Sequence, residues 1–303
     1  MNTNKTTIKI NNRDLALSNL DKVLYPAANF TKSQILKYYS SIAPYILPHL
    51  KGRAMTLKRY PNGVNEDYFF EKRCPAHRPG WLETADIPYG TSKQLNACLV
   101  NNLETLVWVE NLASIELHVP LCSAKTPLTP DSVVFDLDPG ENAGVLECAK
   151  VALIIKGLLD NMKLWSAVKT SGKKGLHVYV PLNSGKTTFD DTKNFSRAIA
   201  GSMQNNYPGL VTSIMAKTSR DKKVFINWSQ NDASKTMVAA YSLRAADKPM
   251  ASTPLGWKEL KAFLKKNDPA GLQFTYSQTL TRAKKNGDLF SAMLDKKQRL
   301  PYL

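Results

Sequence analysis

Apolar and polar positions along this chain recur at two spacings, and the spacing assigns the elements. Ile35, Leu36, Tyr38, Tyr39 and Ile42 recur at near-helical intervals behind Thr31, a helix-capping residue type. A helix is therefore predicted from Thr31 until Pro44 kinks or ends it. Gly144 to Met162 reads as an amphipathic helix, and Asn102–Ala113, Phe189–Asn205 and the basic stretch Lys258–Lys265 read as further helices. Strands are predicted at Met55–Tyr60, Tyr68–Lys72, Ile115–Val119, Val224–Trp228 and in a segment ending at Val178–Pro181. Pro61-Asn62-Gly63 marks a turn, Leu20 to Pro26 a loop, and Asp86 to Leu95 a hairpin or projecting loop. Residues 1–12 read as a flexible lead or a short edge strand around Ile8 to Ile10. Strands and helices alternate in no strict βαβ order, which argues α+β with mixed and antiparallel sheets flanked by helices rather than a Rossmann or barrel fold. Without a repeat, a low-complexity linker or a composition break, a single domain over 1–303 is expected.

One strand carries chemistry. In Asp131-Ser-Val-Val-Phe-Asp-Leu-Asp-Pro-Gly140 an apolar β-rich run precedes Asp136 and Asp138, and Pro139-Gly140 then turns the chain. Residues two apart in a strand share a face, so both carboxylates converge on one spot. They repel unless a cation lies between them, and hard oxygen donors suit Mg²⁺ or Mn²⁺ rather than zinc. Standing alone, the pair reads equally as a solvated strand end.

Charge changes the picture more than composition does. The apolar share of 43% and charged share of 22% are those of a globular protein, but Lys+Arg 41 against Asp+Glu 25 gives a formal +16. Residues 1–60 hold ten basic side chains and two acidic ones, half of that excess. A polyanionic partner is expected, with a lysine-rich solubilised surface as the plainer alternative. Cys74, Cys98, Cys122 and Cys148 lack paired spacing and are expected to be reduced thiols. The polar N-terminus and the lack of an 18-residue apolar run point to the cytoplasm and away from a membrane.

Three further stretches suit phosphates. Lys169-Thr-Ser-Gly-Lys-Lys-Gly-Leu-His177 places Gly172 and Gly175 where backbone N–H groups can approach an anion, beside Ser171, Lys174 and His177 as donors. It lacks the Walker A spacing. Arg220 to Gln230 is a cationic loop entering a strand, and Ser234 to Arg244 adds donors. Singly, each also reads as a solvated face.

In order, these residues resemble the polymerase domain of the bacterial DNA ligase D proteins, a branch of the archaeo-eukaryotic primase superfamily. The resemblance covers nearly the whole chain. It rests on Leu-Asp-Lys-Val-Leu-Tyr-Pro at 20–26, Lys-Arg-Tyr-Pro-Asn-Gly at 58–63, Phe-Phe-Glu-Lys at 69–72 and Glu-Leu-His at 116–118. It continues through Phe-Asp-Leu-Asp-Pro at 135–139, Thr-Ser-Gly-Lys-Lys-Gly-Leu-His at 170–177 and Tyr-Ser-Leu-Arg at 241–244. The resemblance implies a primase-type repair polymerase of non-homologous end joining, filling short gaps at double-strand breaks and preferring ribonucleotides and Mn²⁺. It implies a catalytic core over 115–245 and a basic 5′-phosphate-binding region over 13–60. Asp136 and Asp138 would hold two divalent metals, Mn²⁺ or Mg²⁺, for in-line displacement of pyrophosphate by the primer 3′-hydroxyl. Ser171, Lys174, Gly175, His177, Arg220 and Arg244 match positions that hold the nucleoside triphosphate, with His118 and Gln230 as further carry-overs. Lys22 and Lys32 match lysines that bind the downstream 5′-phosphate, Phe69 and Phe70 match aromatics that stack on template bases, and Asp86 to Leu95 resembles a loop that aligns broken ends. Lys51 and Arg53 are further phosphate candidates that read more simply as a solvated loop.

The chain departs from that pattern at Asn227, where the family's third metal-binding carboxylate is expected. An amide offers a neutral oxygen and cannot act as a base, so binding is expected to persist while turnover falls. A substitution made to stall the reaction is the favoured origin, and natural divergence the other. No Lys-x-Asp-Gly nucleotidyl-lysine motif is present, so no ligase activity is expected of the chain, and Ku and an ATP-dependent ligase would be separate partners. The competing readings are an inert DNA-end binding or synapsis module, a replication or damage-tolerance primase, and a basic RNA-binding protein.

Overall fold

A computed structural model describes residues 5–90 and 93–301. Along the chain, β1 (Lys5–Ile10) and β2 (Arg13–Ser18) form an antiparallel pair, and β3 (Val23–Tyr25) pairs with β4 (Phe30–Thr31). Then come α1 (Lys32–Leu50), β5 (Thr56–Arg59), β6 (Phe69–Glu71), the pair β7 (Thr84–Tyr89) and β8 (Lys93–Cys98), α2 (Leu103–Asn111) and β9 (Glu116–Val119). The middle of the chain holds β10 (Ser132–Pro139), α3 (Val145–Asn161), β11 (Ala167–Thr170), β12 (Leu176–Pro181), α4 (Phe189–Asn206), β13 (Val211–Thr212) and β14 (Val224–Asn227). Short strands β15 (Met237–Val238), β16 (Leu243–Arg244), β17 (Met250–Ala251) and β18 (Pro254–Leu255) precede α5 (Trp257–Lys265), α6 (Tyr276–Asn286) and α7 (Ala292–Asp295).

The chain folds as two compact units. One comprises Met1–Pro120, Val238–Ala251 and Thr275–Gly287, and the other Leu121–Met237, Ser252–Phe274 and Asp288–Leu303. In the second, a sheet of order β13-β14-β10-β12-β11-β18 carries one parallel contact, β13 with β14, among antiparallel ones. Val133, Phe135 and Leu137 of β10, Val178 and Val180 of β12 and Val224 and Ile226 of β14 pack into one core with Cys148, Val151 and Ile155 of α3 and Phe195 and Ile199 of α4. The alternate residues, Asp136, His177, Phe225 and Asn227, therefore occupy the opposite face. That face carries the candidate site residues.

In the first unit, β5 lies between β9 and β6, and the sequence explains most of the helix α1 beside it. Thr31 forms a capping box with Gln34, as its residue type predicts. The expected break at Pro44 does not occur: α1 runs through Pro44 and Pro48 to Leu50. Both prolines are exposed, so the carbonyls they strand face water, while Ile35, Tyr38, Tyr39, Ile42, Ile46 and Leu50 fix the helix by burial. The structure also corrects the thiols. Cys74 and Cys98 form a disulfide, because the Cys74 N–H donates to Asn96 O beside β8 and brings the following loop against the hairpin. Cys122 and Cys148 are free and buried. Residues 5–10 are a strand, whereas residues 1–4 of the expected flexible lead lie outside the described residues. Among the described residues, no helix is long and apolar enough to cross a membrane.

Candidate active site

The site is built on a row of residues across four strands. Register pairs Lys169 of β11 with His177 of β12, His177 with Asp136 of β10, and Asp136 with Asn227 of β14. Asp136 is 6% exposed, and His177 Nε2 lies 3.3 Å from its Oδ1. Its Oδ2 accepts from Asn227 Nδ2 at 3.3 Å and from Gln230 Nε2 at 3.4 Å, the latter carried by a 3-10 turn at Trp228–Gln230. Asp138 lies two residues along the same face. Asn227 Oδ1 accepts instead from Ser229 Oγ at 2.8 Å, which in turn accepts from Lys235 Nζ at 2.8 Å. The amide therefore turns its donor toward Asp136, the reverse of what a third carboxylate would present.

Two glycines bring loops against the aspartate strand. A Cβ on Gly175 would sit 2.2 Å from Leu137 O, and one on Gly140 would sit 1.8 Å from Arg220 O. The first allows the 171–175 turn to close: Ser171 Oγ accepts from the N–H groups of Lys173 at 3.2 Å and Gly175 at 3.1 Å. Ser171 is buried and Lys174 exposed at the rim. The second lets the 220–223 loop lie on the Pro139-Gly140 turn, with Gly140 N–H donating to Lys223 O. Arg220 donates to Met215 O at 2.5 Å and stacks 3.7 Å over the ring of Phe225, the register partner of Asp138.

A second cluster gathers in the other unit around Glu116, which is fully buried. Its Oε2 lies 3.0 Å from His118 Nε2 and 3.3 Å from Arg244 Nε; its Oε1 lies 3.9 Å from Lys58 Nζ and accepts from Ala245 N–H at 3.1 Å and Tyr60 OH at 3.4 Å. Burial alone would raise the Glu116 carboxyl, but the His118 hydrogen bond and the Arg244 and Lys58 charges outweigh it and hold the group well below the usual carboxylate range. Burial lowers His118, with Glu116 opposing that shift. Glu116 and His118 share a strand face at a spacing of two, a signal that was available in the sequence.

Beside this cluster, Phe69 and Phe70 of edge strand β6 are 44% and 51% exposed, so neither is the core residue that alternation would make of one of them. Lys58 Nζ lies 3.8 Å from the ring centroid of Tyr68, and Phe70 meets His118 edge-on at 5.8 Å. Lys22 and Lys32 are joined through Lys32 N–H to Lys22 O, with Lys22 Nζ donating to Asn62 Oδ1 at 3.0 Å and Lys32 Nζ to Ser18 O at 2.6 Å. Gly52 takes a positive φ between Lys51 and Arg53, and Arg53 donates to Pro120 O at 3.1 Å. The expected projecting loop is the hairpin β7–β8, paired from Thr84 with Cys98 to Tyr89 with Lys93; residues 91 and 92 lie outside the described residues.

A family model described as LigD, primase-polymerase domain, matches residues 31–290. The chain belongs to this family. It is 39% identical over 281 residues to the multifunctional non-homologous end joining protein LigD of Mycolicibacterium smegmatis, covering 91% of this chain and 36% of that protein. It is 32% identical over 273 residues to the bifunctional non-homologous end joining protein LigD of Bacillus subtilis, covering 90% of this chain and 43% of that one. The chain thus spans well under half the length of these curated relatives. Among solved structures it resembles the polymerase domain of Mycobacterium tuberculosis Ligase D in complex with DNA, with a TM-score of 0.85 and 37% identity over 92% of this chain and 98% of that one.

Among the described residues, no group of three His, Cys, Asp or Glu side chains could hold a metal. Asp136 and Asp138 supply hard oxygens of the kind divalent cations take, and Asn227 adds a neutral amide whose donor faces Asp136.

Proposed function

We propose that this chain is the nucleotidyl-transfer domain of an end-joining repair polymerase, filling short gaps at double-strand breaks with a preference for ribonucleotides, and that Asn227 impairs its turnover. The observation that supports this reading is the carboxylate pair on β10, flanked by the His177 and Asn227 positions in register and by two anion-suited loops. Asp136 and Asp138 would hold Mg²⁺ or Mn²⁺; when bound, the cation neutralises the triphosphate and acidifies the attacking 3′-hydroxyl. The chain's own groups then orient the substrate. Ser171, Lys174, Gly175 and His177 form one wall for the phosphates, with Arg220 beside them and Gln230 reaching Asp136. His118 and Arg244, both fixed by Glu116, supply further nucleotide contacts. Lys22 and Lys32 receive the 5′-phosphate across the gap, and Phe69 and Phe70 stack on the template. DNA with a gap or broken end is the expected partner, with Ku and a ligase acting alongside in the cytoplasm.

Primer extension on a 5′-phosphorylated gap, with Mn²⁺ and ribonucleoside triphosphates, tests the reading in this chain and in Asn227→Asp. Extension in the variant is expected to be faster by about 10²-fold or more, the scale of restoring a group that completes a metal site. The variant also places a third carboxylate against Asp136, so its melting temperature without metal is expected to fall and to recover with added Mn²⁺. The amide donor aimed at Asp136 favours a second reading, an inert DNA-end binding module. That reading prevails if neither chain extends while both bind the gap.

A further inference from the structure

Lys169 is the buried amine that the proposed reaction leaves unused. It is 1% exposed, at the head of the row that runs through His177 and Asp136 to Asn227. Its Nζ lies 2.6 Å from Ser252 Oγ, 2.9 Å from His177 Nδ1 and 5.8 Å from the ring centroid of Tyr179. Ser252 Oγ gives its own proton to Thr170 O at 2.8 Å, so toward Lys169 it accepts. With Lys169 as an ammonium, which has three protons and no lone pair, His177 Nδ1 accepts as well. The proton of a neutral His177 then resides on Nε2, the nitrogen 3.3 Å from Asp136 Oδ1. Donors and acceptors are consistent along the whole chain from Thr170 O to Asp136.

We propose that Lys169 is a positioning residue: it fixes His177 as the Nε2–H tautomer and aims that N–H into the aspartate site. This rests on the reading of the row as a nucleotidyl-transfer site. Before substrate binds, the N–H faces Asp136, whose Oδ1 lies 3.3 Å from Nε2; in the loaded site it is the donor presented to a phosphate oxygen. The other tautomer would present a lone pair to both Asp136 and the phosphates, repelling each. A cation serves better than a neutral donor because it cannot reverse its hydrogen bond. It also lies on the side of His177 away from Asp136, so it orients the ring without occupying the acidic site. Register fixes the arrangement, since a slip of one residue in β11 would send Lys169 to the core face.

The test begins with the unmodified chain and needs no variant to fold. Long-range proton–nitrogen correlation spectra of the ¹⁵N-labelled protein report the protonation of each ring nitrogen of its four histidines, and His177→Gln identifies the signals of His177. The expected result is an unprotonated Nδ1 and a protonated Nε2. A proton on Nδ1 would overturn the proposal. In Lys169→Met the two forms are expected to mix, and an unchanged tautomer would likewise overturn it. Kinetics follow in the Asn227→Asp background. Lys169→Met should lower kcat/KM for the nucleotide by about 10- to 100-fold, the scale of losing a group that orients a site ligand, with binding of the gapped duplex within about twofold. If His177→Ala lowers kcat/KM and Lys169→Met does not, the positioning role fails alone. If neither variant lowers it, the reading of His177 fails and takes the proposal with it.

Discussion

Lys32 is a buried ammonium in the first turn of α1, and its surroundings give it a usable pH signature. Burial, with the charges of Lys22 and Arg59 nearby, lowers its pKa to about 8. The sign follows directly: the charge is present below about 8 and is lost above it, while a 5′-phosphate stays doubly charged throughout that range. Affinity for a 5′-phosphorylated gap, relative to the same gap without the phosphate, is expected to fall about tenfold between pH 7 and pH 9. In Lys32→Arg that ratio should stay flat, and a flat ratio in the unmodified chain would remove Lys32 from the phosphate site. Anisotropy titrations with labelled duplexes check both. The place of Lys32 in the first turn of α1 was legible because Thr31 before it is a capping residue type, while its assignment to a phosphate came from the resemblance. Lys169 and Glu116 stood inside quoted motifs, yet Lys169 also meets Ser252, 83 residues away, and Glu116 meets Ala245, 129 residues away. Sequence shows which face a strand residue takes, not which strand lies beside it.

Among the elements, period-two strands and the capped helices α1, α3 and α4 were readable because their buried faces are strongly apolar. Helix α6 was not, since its buried residues are Thr279 and Ala283, which leave no apolar stripe. The prolines of α1 misled because the sequence alone does not reveal that both lie on the solvent side. Close approach between elements is equally hidden, and Gly175 shows its cost. An added methyl would meet Leu137 O at 2.2 Å, so either the 171–175 turn or β10 must move. Gly175→Ala is expected to destabilise the fold by about 1–3 kcal/mol, as overpacking does, and to weaken nucleotide binding. Gly157→Ala, in the interior of α3 with nothing within 4 Å of the new methyl, is expected to stabilise by about 0.5–1 kcal/mol. Urea unfolding of the two variants checks the contrast. A Gly175→Ala chain as stable as its parent would mean that the approach to β10 is not tight.

At the scale of the whole molecule the formal +16 makes the proposed binding to DNA a competition with salt ions. Each phosphate neutralised releases counterions, so the logarithm of the binding constant should fall linearly with the logarithm of salt, by about 0.9 per phosphate contacted on duplex DNA. This separates two kinds of contact. The 5′-phosphate contact proposed for Lys22 and Lys32 acts by charge, so removing both should flatten the slope by about 2, about 1 for each cation removed, on a 5′-phosphorylated gap, with little change when the phosphate is absent. Phe70, half exposed on an edge strand, is proposed to act by stacking: Phe70→Ala should cost about 1–3 kcal/mol at every salt concentration and leave the slope unaltered. A bland solubilising surface predicts the opposite. Under that reading the slope depends on total charge alone, and replacing exposed lysines of the other unit, such as Lys261 and Lys265 of α5, flattens it as much as replacing Lys22 and Lys32. Titrations of the three variants across 50–200 mM salt, with and without the 5′-phosphate, decide between a surface that is merely basic and one whose charges are placed.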